Sequence, residues 1–244
     1  MLKQAILYCL GSLLFLGTLS ANPSDVENGV SHKAWDDLLK KHVSSTGKVN
    51  YEGFKADKSK IDAYIKTLAN NHPSSSWSKN AEMAFWINLY NAFTIQQILE
   101  VYPVSSIMKV AGGKVWDTKK VKIGSKYYTL NQIEKDMLLK KFKEPRVHFA
   151  VNCAAKSCPP LMNKAWTESN IQSSFDLRAR MFVNNLSFNT ISSSSIQISK
   201  IFEWYASDFG GSSNLIKYIN KYSKLTVSSS AKVIYKEYDW NLNK

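Results

Sequence analysis

The chain has 244 residues, 44% apolar and 12% aromatic, with three cysteines and a formal charge of +13. The apolar content excludes wholesale disorder, and three cysteines are too few for a disulfide-built mini-scaffold. The charge invites a nucleic-acid reading, but among the 32 basic residues only Arg146, Arg178 and Arg180 are arginine, whereas specific nucleic-acid sites lean on the planar arginine fork.

The lysines are scattered, with short clusters at Lys119, Lys120 and Lys122 and at Lys140, Lys141 and Lys143. Zinc-finger spacing, a basic zipper and an RNA-stacking signature are all missing from the sequence. The expected partners are a small-molecule or peptide substrate and no specific nucleic acid. Diffuse lysine charge adds only weak, salt-sensitive contact with an envelope surface or another polyanion.

Met1 to Ala21 carries Lys3, an apolar run from Ala5 to Leu19, and the small residues Thr18, Ser20 and Ala21. This is the layout of a cleaved secretory signal peptide. The run is shorter than the roughly 20 residues that span a bilayer. The expected location is therefore exported, periplasmic or secreted. Cleavage after Ala21 removes Lys3 and Cys9, leaving 31 basic against 19 acidic residues, or +12. Residues 22–33 read as a flexible segment and residues 34–244 as a single globular domain, since no long Pro/Gly/Ser linker interrupts them.

Trp35 to Val43 and Lys58 to Asn70 show helical spacing. Ala81 to Val101 is apolar on every side, which predicts a helix buried in a core, ended by Pro103. KVKIGSKYYTL (Lys120–Leu130) predicts a hairpin turning at Gly124-Ser125. Thr129 with Gln132 three residues on predicts a capping box opening a helix to Phe142. Arg146 to Cys153 reads as a buried strand. Thr167-Glu168 starts another helix, with Ile171, Phe175, Ala179 and Phe182 on one face. A second hairpin spans roughly Leu186–Ser199. Short helices then cover Ile201–Phe209 and Asn214–Tyr222, and VIYKEYDWNL closes the chain as a strand. Helices and hairpins without a strand-helix-strand rhythm predict an α+β fold around a small, mainly antiparallel sheet.

The densest chemistry lies in RVHFAVNCAAKSCPP (Arg146–Pro160), which holds His148, Asn152, Cys153 and Cys158. On a straight strand His148 and Asn152 share one face, and Cys153 lies roughly 17 Å from His148 at about 3.4 Å per residue. Cys158, beyond a turn, folds back toward His148. Pro159 after it is a favoured first residue of a helix, whose N-terminus stabilises a thiolate. Cys158 is then the expected nucleophile and His148 the base, with Asn152, Asn88 or Asn91 orienting the imidazole. Two other readings stay open: a structural Cys153–Cys158 disulfide in an exported protein, or two inert buried thiols. Asn88 and Asn91 are three apart on one helix face; they either line a pocket or satisfy neighbouring backbone. Glu203 and Asp208 sit in an aromatic cluster with Tyr205 but are five apart, so they form no stacked carboxylate pair. One histidine and two cysteines lack a fourth zinc ligand, and no phosphate loop or dinucleotide fingerprint occurs. No metal or cofactor is expected.

AFWINLYNAFTI (Ala84–Ile95), a segment with Trp116, HFAVNCAAKSCPPL (His148–Leu161), KIFEWYASDF (Lys200–Phe209) and YDWNLN (Tyr238–Asn243) together resemble the family called domain of unknown function 547. The resemblance runs from about Glu82 to the C-terminus. It points to His148, Asn152, Cys153 and Cys158 as the catalytic set, with Trp86, Asn88, Asn91 and Tyr205 as substrate-binding candidates. Relatives that pair the domain with a glutaredoxin-like domain imply thiol or glutathione chemistry. The Cys/His/Asn content implies a papain-like arrangement with rearranged connectivity, because His precedes Cys here. The expected activity is hydrolysis or acyl transfer on an amide, thioester or glutathione-like substrate. The alternative is a non-catalytic binding module with bridged cysteines.

Overall fold

Helical spacing dominates the first half of the chain, and in the computed structural model, which describes residues 29–244, that half forms a helical layer. The proposed signal peptide and residues 22–28 lie outside the described residues. Residues 29–33, expected to be loose, alternate between exposed and buried positions. Val30 and His32 are buried, and His32 Nδ1 lies 2.7 Å from Tyr64 Oη.

Helix α1 (Lys33–His42) packs with α2 (Tyr51–Ala56) and α3 (Lys58–Asn70). The α2 turn had no sequence signal beyond Asn50, whose side chain accepts from Gly53 N–H as an N-cap. Helix α4 (Lys79–Leu99) is capped by Ser78 and buried nearly all round, from Ala81 to Leu99. Its Phe85, Ile87, Leu89, Phe93 and Ile98 anchor the larger core. Each such side chain stabilises by about 1.5–3 kcal/mol on leaving water.

A 3₁₀ segment (Ile107–Gly113) and α5 (Val115–Thr118) lead to the first hairpin, β1 (Lys120–Ile123) and β2 (Lys126–Thr129). The strands are antiparallel with Ile123 opposite Lys126, and Gly124 takes a left-handed φ of 57° at the turn. The capping box forms as expected: Thr129 N–H donates to Gln132 Oε1 at 2.9 Å and Gln132 N–H to Thr129 Oγ1 at 3.1 Å. The helix it opens is wound with π geometry over Gln132–Lys140.

The expected strand over Arg146–Cys153 does not form. Pro145 opens a 3₁₀ turn, Pro145–Phe149, and the chain then runs irregularly through Cys153. Pro145 is pre-set for a helical start, and Glu144 caps it by accepting from Arg146 N–H at 3.1 Å. The backbone beyond the turn is satisfied by side chains rather than by a partner strand. Asn91 Nδ2 donates to Ala150 O at 3.0 Å, and Asn152 N–H donates to Asn91 Oδ1 at 2.8 Å. No helix starts at Pro159 either; the next is α6 (Ile171–Val183). Ile171, Phe175, Ala179 and Phe182 of α6 are buried, as their spacing predicts.

The second sheet has the order β3-β4-β5, from Thr190–Ile191, Ser195–Ile198 and Lys232–Tyr235. β3 and β4 are antiparallel, and β5 is parallel to β4. Helices α7 (Ile201–Trp204) and α8 (Leu215–Tyr222) pack beside it. With two small sheets among many helices, the fold is α+β. It holds two hydrophobic clusters, one around α4 and one around Phe149, Phe182, Phe202 and Phe209. The 3₁₀ turn bridges them: Val147 belongs to the first and Phe149 to the second. His148 is held between. Among the described residues no helix is long and apolar enough to cross a membrane.

Candidate functional site

The irregular backbone after Phe149 places both cysteines in one cleft. Ala154 adopts a left-handed φ of 64°, unusual for a residue with a side chain. It is held there by Asn152 Oδ1, which accepts from Ala154 N–H at 2.9 Å, and by Ala154 O, which accepts from Asn243 N–H at 3.1 Å. The turn brings Cys158 back under Cys153, whose N–H donates to Cys158 Sγ at 3.0 Å. Asn152 Nδ2 and Arg178 both donate onto the Pro159-Pro160 backbone, at Pro159 O and Pro160 O respectively.

The C-terminal segment completes the wall. Lys156 N–H donates to Asn241 O, Ser157 N–H to Asp239 O, and Asp239 N–H to Ser157 Oγ. This clamp carries Tyr238 and Trp240 to the cysteine loop. Tyr238 Oη lies 3.3 Å from Cys153 Sγ.

The resulting cleft has a volume of about 230 Å³. Its floor includes His148, Cys153, Cys158 and Glu134, and its walls include Trp116, Trp204 and Trp240. The aromatic rings contact one another: Trp204 and Trp240 stack at 5.7 Å and 24°, and Tyr238 lies 4.6 Å from Trp240.

The two thiols are free and differ in character. Hydrogen bonds from the Cys158 thiol, from Tyr238 and from Ala155 N–H hold the half-buried Cys153 below the ordinary thiol range, against the opposing effect of burial. Burial, then the neighbouring Cys153, push Cys158 well above that range. Of the two, Cys153 therefore gives up its proton the more readily, and Cys158 holds its own. The sequence reading rested the Cys158 nucleophile on a helix N-terminus after it, and no helix starts there.

His148 Nε2 lies 2.8 Å from Asp208 Oδ2. A carboxylate accepts, so Nε2 carries a proton toward Asp208, and Nδ1 is the ring nitrogen left for proton transfer. Among the described residues neither sulfur is hydrogen-bonded to this imidazole. Asp208, not an asparagine, is the orienting group. Asn152 is instead committed to the cysteine loop, and Asn91 to the backbone of Ala150 and Asn152. Asn88 bonds both backbone polar groups of Trp166, donating to its O at 2.7 Å and accepting from its N–H at 3.1 Å. Trp86 meets Phe85 edge-on and Tyr128 at a tilt of 60°, and donates to Glu82 at 3.2 Å. Neither Trp86 nor Asn88 nor Asn91 lines the cleft, whereas Tyr205 does. Tyr205 lies 4.0 Å from the His148 ring and donates to Glu134 Oε1 at 2.8 Å.

Glu134, Trp204, Tyr238 and Trp240 escaped the sequence reading as site residues. The only signal was the mixture of aromatics and carboxylates in Lys200–Phe209 and Tyr238–Asn243. Among the described residues no cluster of histidine, cysteine and carboxylates fits a metal ion.

The fold and site together define an α+β protein with a dithiol in an aromatic cleft. Residues 74–183 match the family described as "Protein of unknown function, DUF547". The match takes in α4 and the cysteine loop but stops before Lys200–Phe209 and Tyr238–Asn243, which the sequence resemblance also includes. No curated protein and no solved structure matches the chain.

Proposed function

We propose that the protein is an exported thiol-dependent hydrolase or acyl transferase acting on an amide, a thioester or a glutathione-like substrate. The observation that carries this reading is Cys153 Sγ, with Tyr238 Oη 3.3 Å away, inside a cleft shared with His148 and Cys158. The thiolate adds to the substrate carbonyl carbon, and the carbon–nitrogen or carbon–sulfur bond then breaks. The leaving amine or thiol takes the proton that Cys153 gave up on ionising, delivered by His148 Nδ1. Water, or an acceptor nucleophile, attacks the Cys153 thioester while His148 Nδ1 accepts its proton and Asp208 holds the ring. Cys158 supplies a hydrogen bond to the sulfur in the resting state. The likeness to papain extends only to residue types, since the histidine partner here is a carboxylate.

Incubation with p-nitrophenyl acetate tests this reading. A burst of nitrophenol matching the protein concentration is expected, with the acetyl group on Cys153 and no burst from Cys153→Ala. Absence of a burst, or acetylation elsewhere with Cys153 untouched, refutes it. Export is tested by N-terminal sequencing of the protein from fractionated cells, where a start at Asn22 is expected and one at Met1 contradicts it.

The contact between the two thiols also favours a second reading, a non-catalytic binding module closed by a Cys153–Cys158 bridge. Protein isolated without reductant that shows no free thiol and a mass lower by two hydrogens supports that reading over the first.

A further inference from the structure

In a chain with 32 basic residues, the cleft lining contains no lysine and no arginine. It contains two carboxylates outside the His148 pair, Asp117 and Glu134. Neither is ion-paired among the described residues. Asp117 Oδ1 accepts from Asn131 Nδ2 at 2.6 Å, and Glu134 Oε1 accepts from Tyr205 Oη at 2.8 Å. Glu134 is only 6% exposed. A carboxylate with no cationic partner attracts a cation, and the attraction is stronger where water is excluded. The walls are three tryptophans and Tyr238, and Trp116 meets Trp240 edge-on at 6.0 Å and 70°. Indole faces carry negative quadrupole density and attract ammonium and guanidinium groups.

We infer that the cleft selects a substrate bearing a cationic group, an alkylammonium or guanidinium, next to the acyl carbon that Cys153 attacks. This rests on the thiol reading above and narrows it. The lysines lie outside, where Lys135, Lys140 and Lys143 border a separate groove. An anionic ligand drawn to the protein by its net charge would meet Asp117 and Glu134 at the cleft. Glutathione, with two carboxylates and one ammonium, is accordingly a poor fit.

The test uses an isosteric series: choline, the neutral 3,3-dimethyl-1-butanol, and the anionic 3,3-dimethylbutyrate. Binding is read by tryptophan fluorescence and by protection of Cys153 from iodoacetamide. Choline is expected to bind roughly tenfold more tightly than the alcohol, the size of one charge-assisted contact, and to slow alkylation at lower concentration. Glu134→Gln removes most of that preference and leaves the alcohol unchanged; Asp117→Asn, at the exposed rim, does the same more weakly and serves if the buried variant fails to fold. Equal affinity for choline and the alcohol, or preference for dimethylbutyrate, overturns the inference. If Cys153 reacts readily and no cation preference appears, only this inference falls. A clear cation preference with an unreactive Cys153 supports the cation site and refutes the thiol chemistry instead.

Discussion

Replacing Tyr238 by Phe removes one of three donors to Cys153 Sγ while keeping the ring. The hydroxyl lies 3.3 Å from the sulfur, and burial pushes the Tyr238 phenol well up, so it stays a donor. The ring contacts, 4.8 Å to Trp204 and 4.6 Å to Trp240, survive the change. A hydrogen bond to a charged acceptor contributes about 1.5–3 kcal/mol, and a half-buried sulfur places this one near the lower end. Since 1.36 kcal/mol corresponds to a factor of ten in protonation, the variant sulfur holds its proton roughly tenfold more tightly. The sign is fixed by the direction of donation. The phenol stabilises the charged form of Cys153, so its loss moves the Cys153 titration upward. Alkylation by iodoacetamide depends on the thiolate. Its rate, measured from pH 5 to 10, should follow a profile displaced to higher pH in the variant, roughly tenfold slower on the rising limb, and converge with wild type at high pH. An unchanged midpoint, with an unchanged circular dichroism spectrum, would refute the three-donor account.

Asp208→Asn should leave the iodoacetamide rate within about twofold but slow release of the acyl group by about a hundredfold, the usual contribution of a well-held general base; equal slowing of both steps would contradict a positioning role. Asn91→Ala should destabilise the fold by about 3 kcal/mol in urea unfolding, because it strands Ala150 O and Asn152 N–H in the core. A loss below about 1 kcal/mol would mean water replaces the amide. Burial lowers the His32 pKa from 6.5 to about 4. Its neutral form is the folded one, so stability is kept above pH 6.5 and lost as pH falls from 6.5 toward 4, by about 3 kcal/mol in all. His32→Gln should flatten that part of the stability profile, and an identical slope in both proteins would count against it.

The readable parts of the fold are those governed by local physics. The all-round apolar pattern of Ala81–Val101 gives α4, Gly124 gives the hairpin turn, and Thr129 with Gln132 gives the capping box. Arg146–Cys153 misled because RVHFAV alternates like a strand. Its conformation is decided by Pro145 in front of it and by the amide of Asn91, some sixty residues away in sequence. That same substitution of a side chain for a partner strand explains why Asn91 belongs to the scaffold and not to the cleft. In the site, His148, Cys153 and Cys158 are visible because they are close in sequence. Asp208, Glu134, Tyr238 and Trp240 are not, because only the tertiary fold brings them in. Tyr205 is an intermediate case, noticed for its aromatic cluster and placed by α7. The order of the two cysteines depended on the backbone conformation beyond Pro159, and a proline compatible with a helix start does not ensure a helix.

The identity of the reactive sulfur tests the account most directly. Native protein treated briefly with limiting iodoacetamide at neutral pH, then digested and mapped by mass spectrometry, should carry the adduct on Cys153 with Cys158 unmodified. Faster modification of Cys158 than of Cys153 would contradict it.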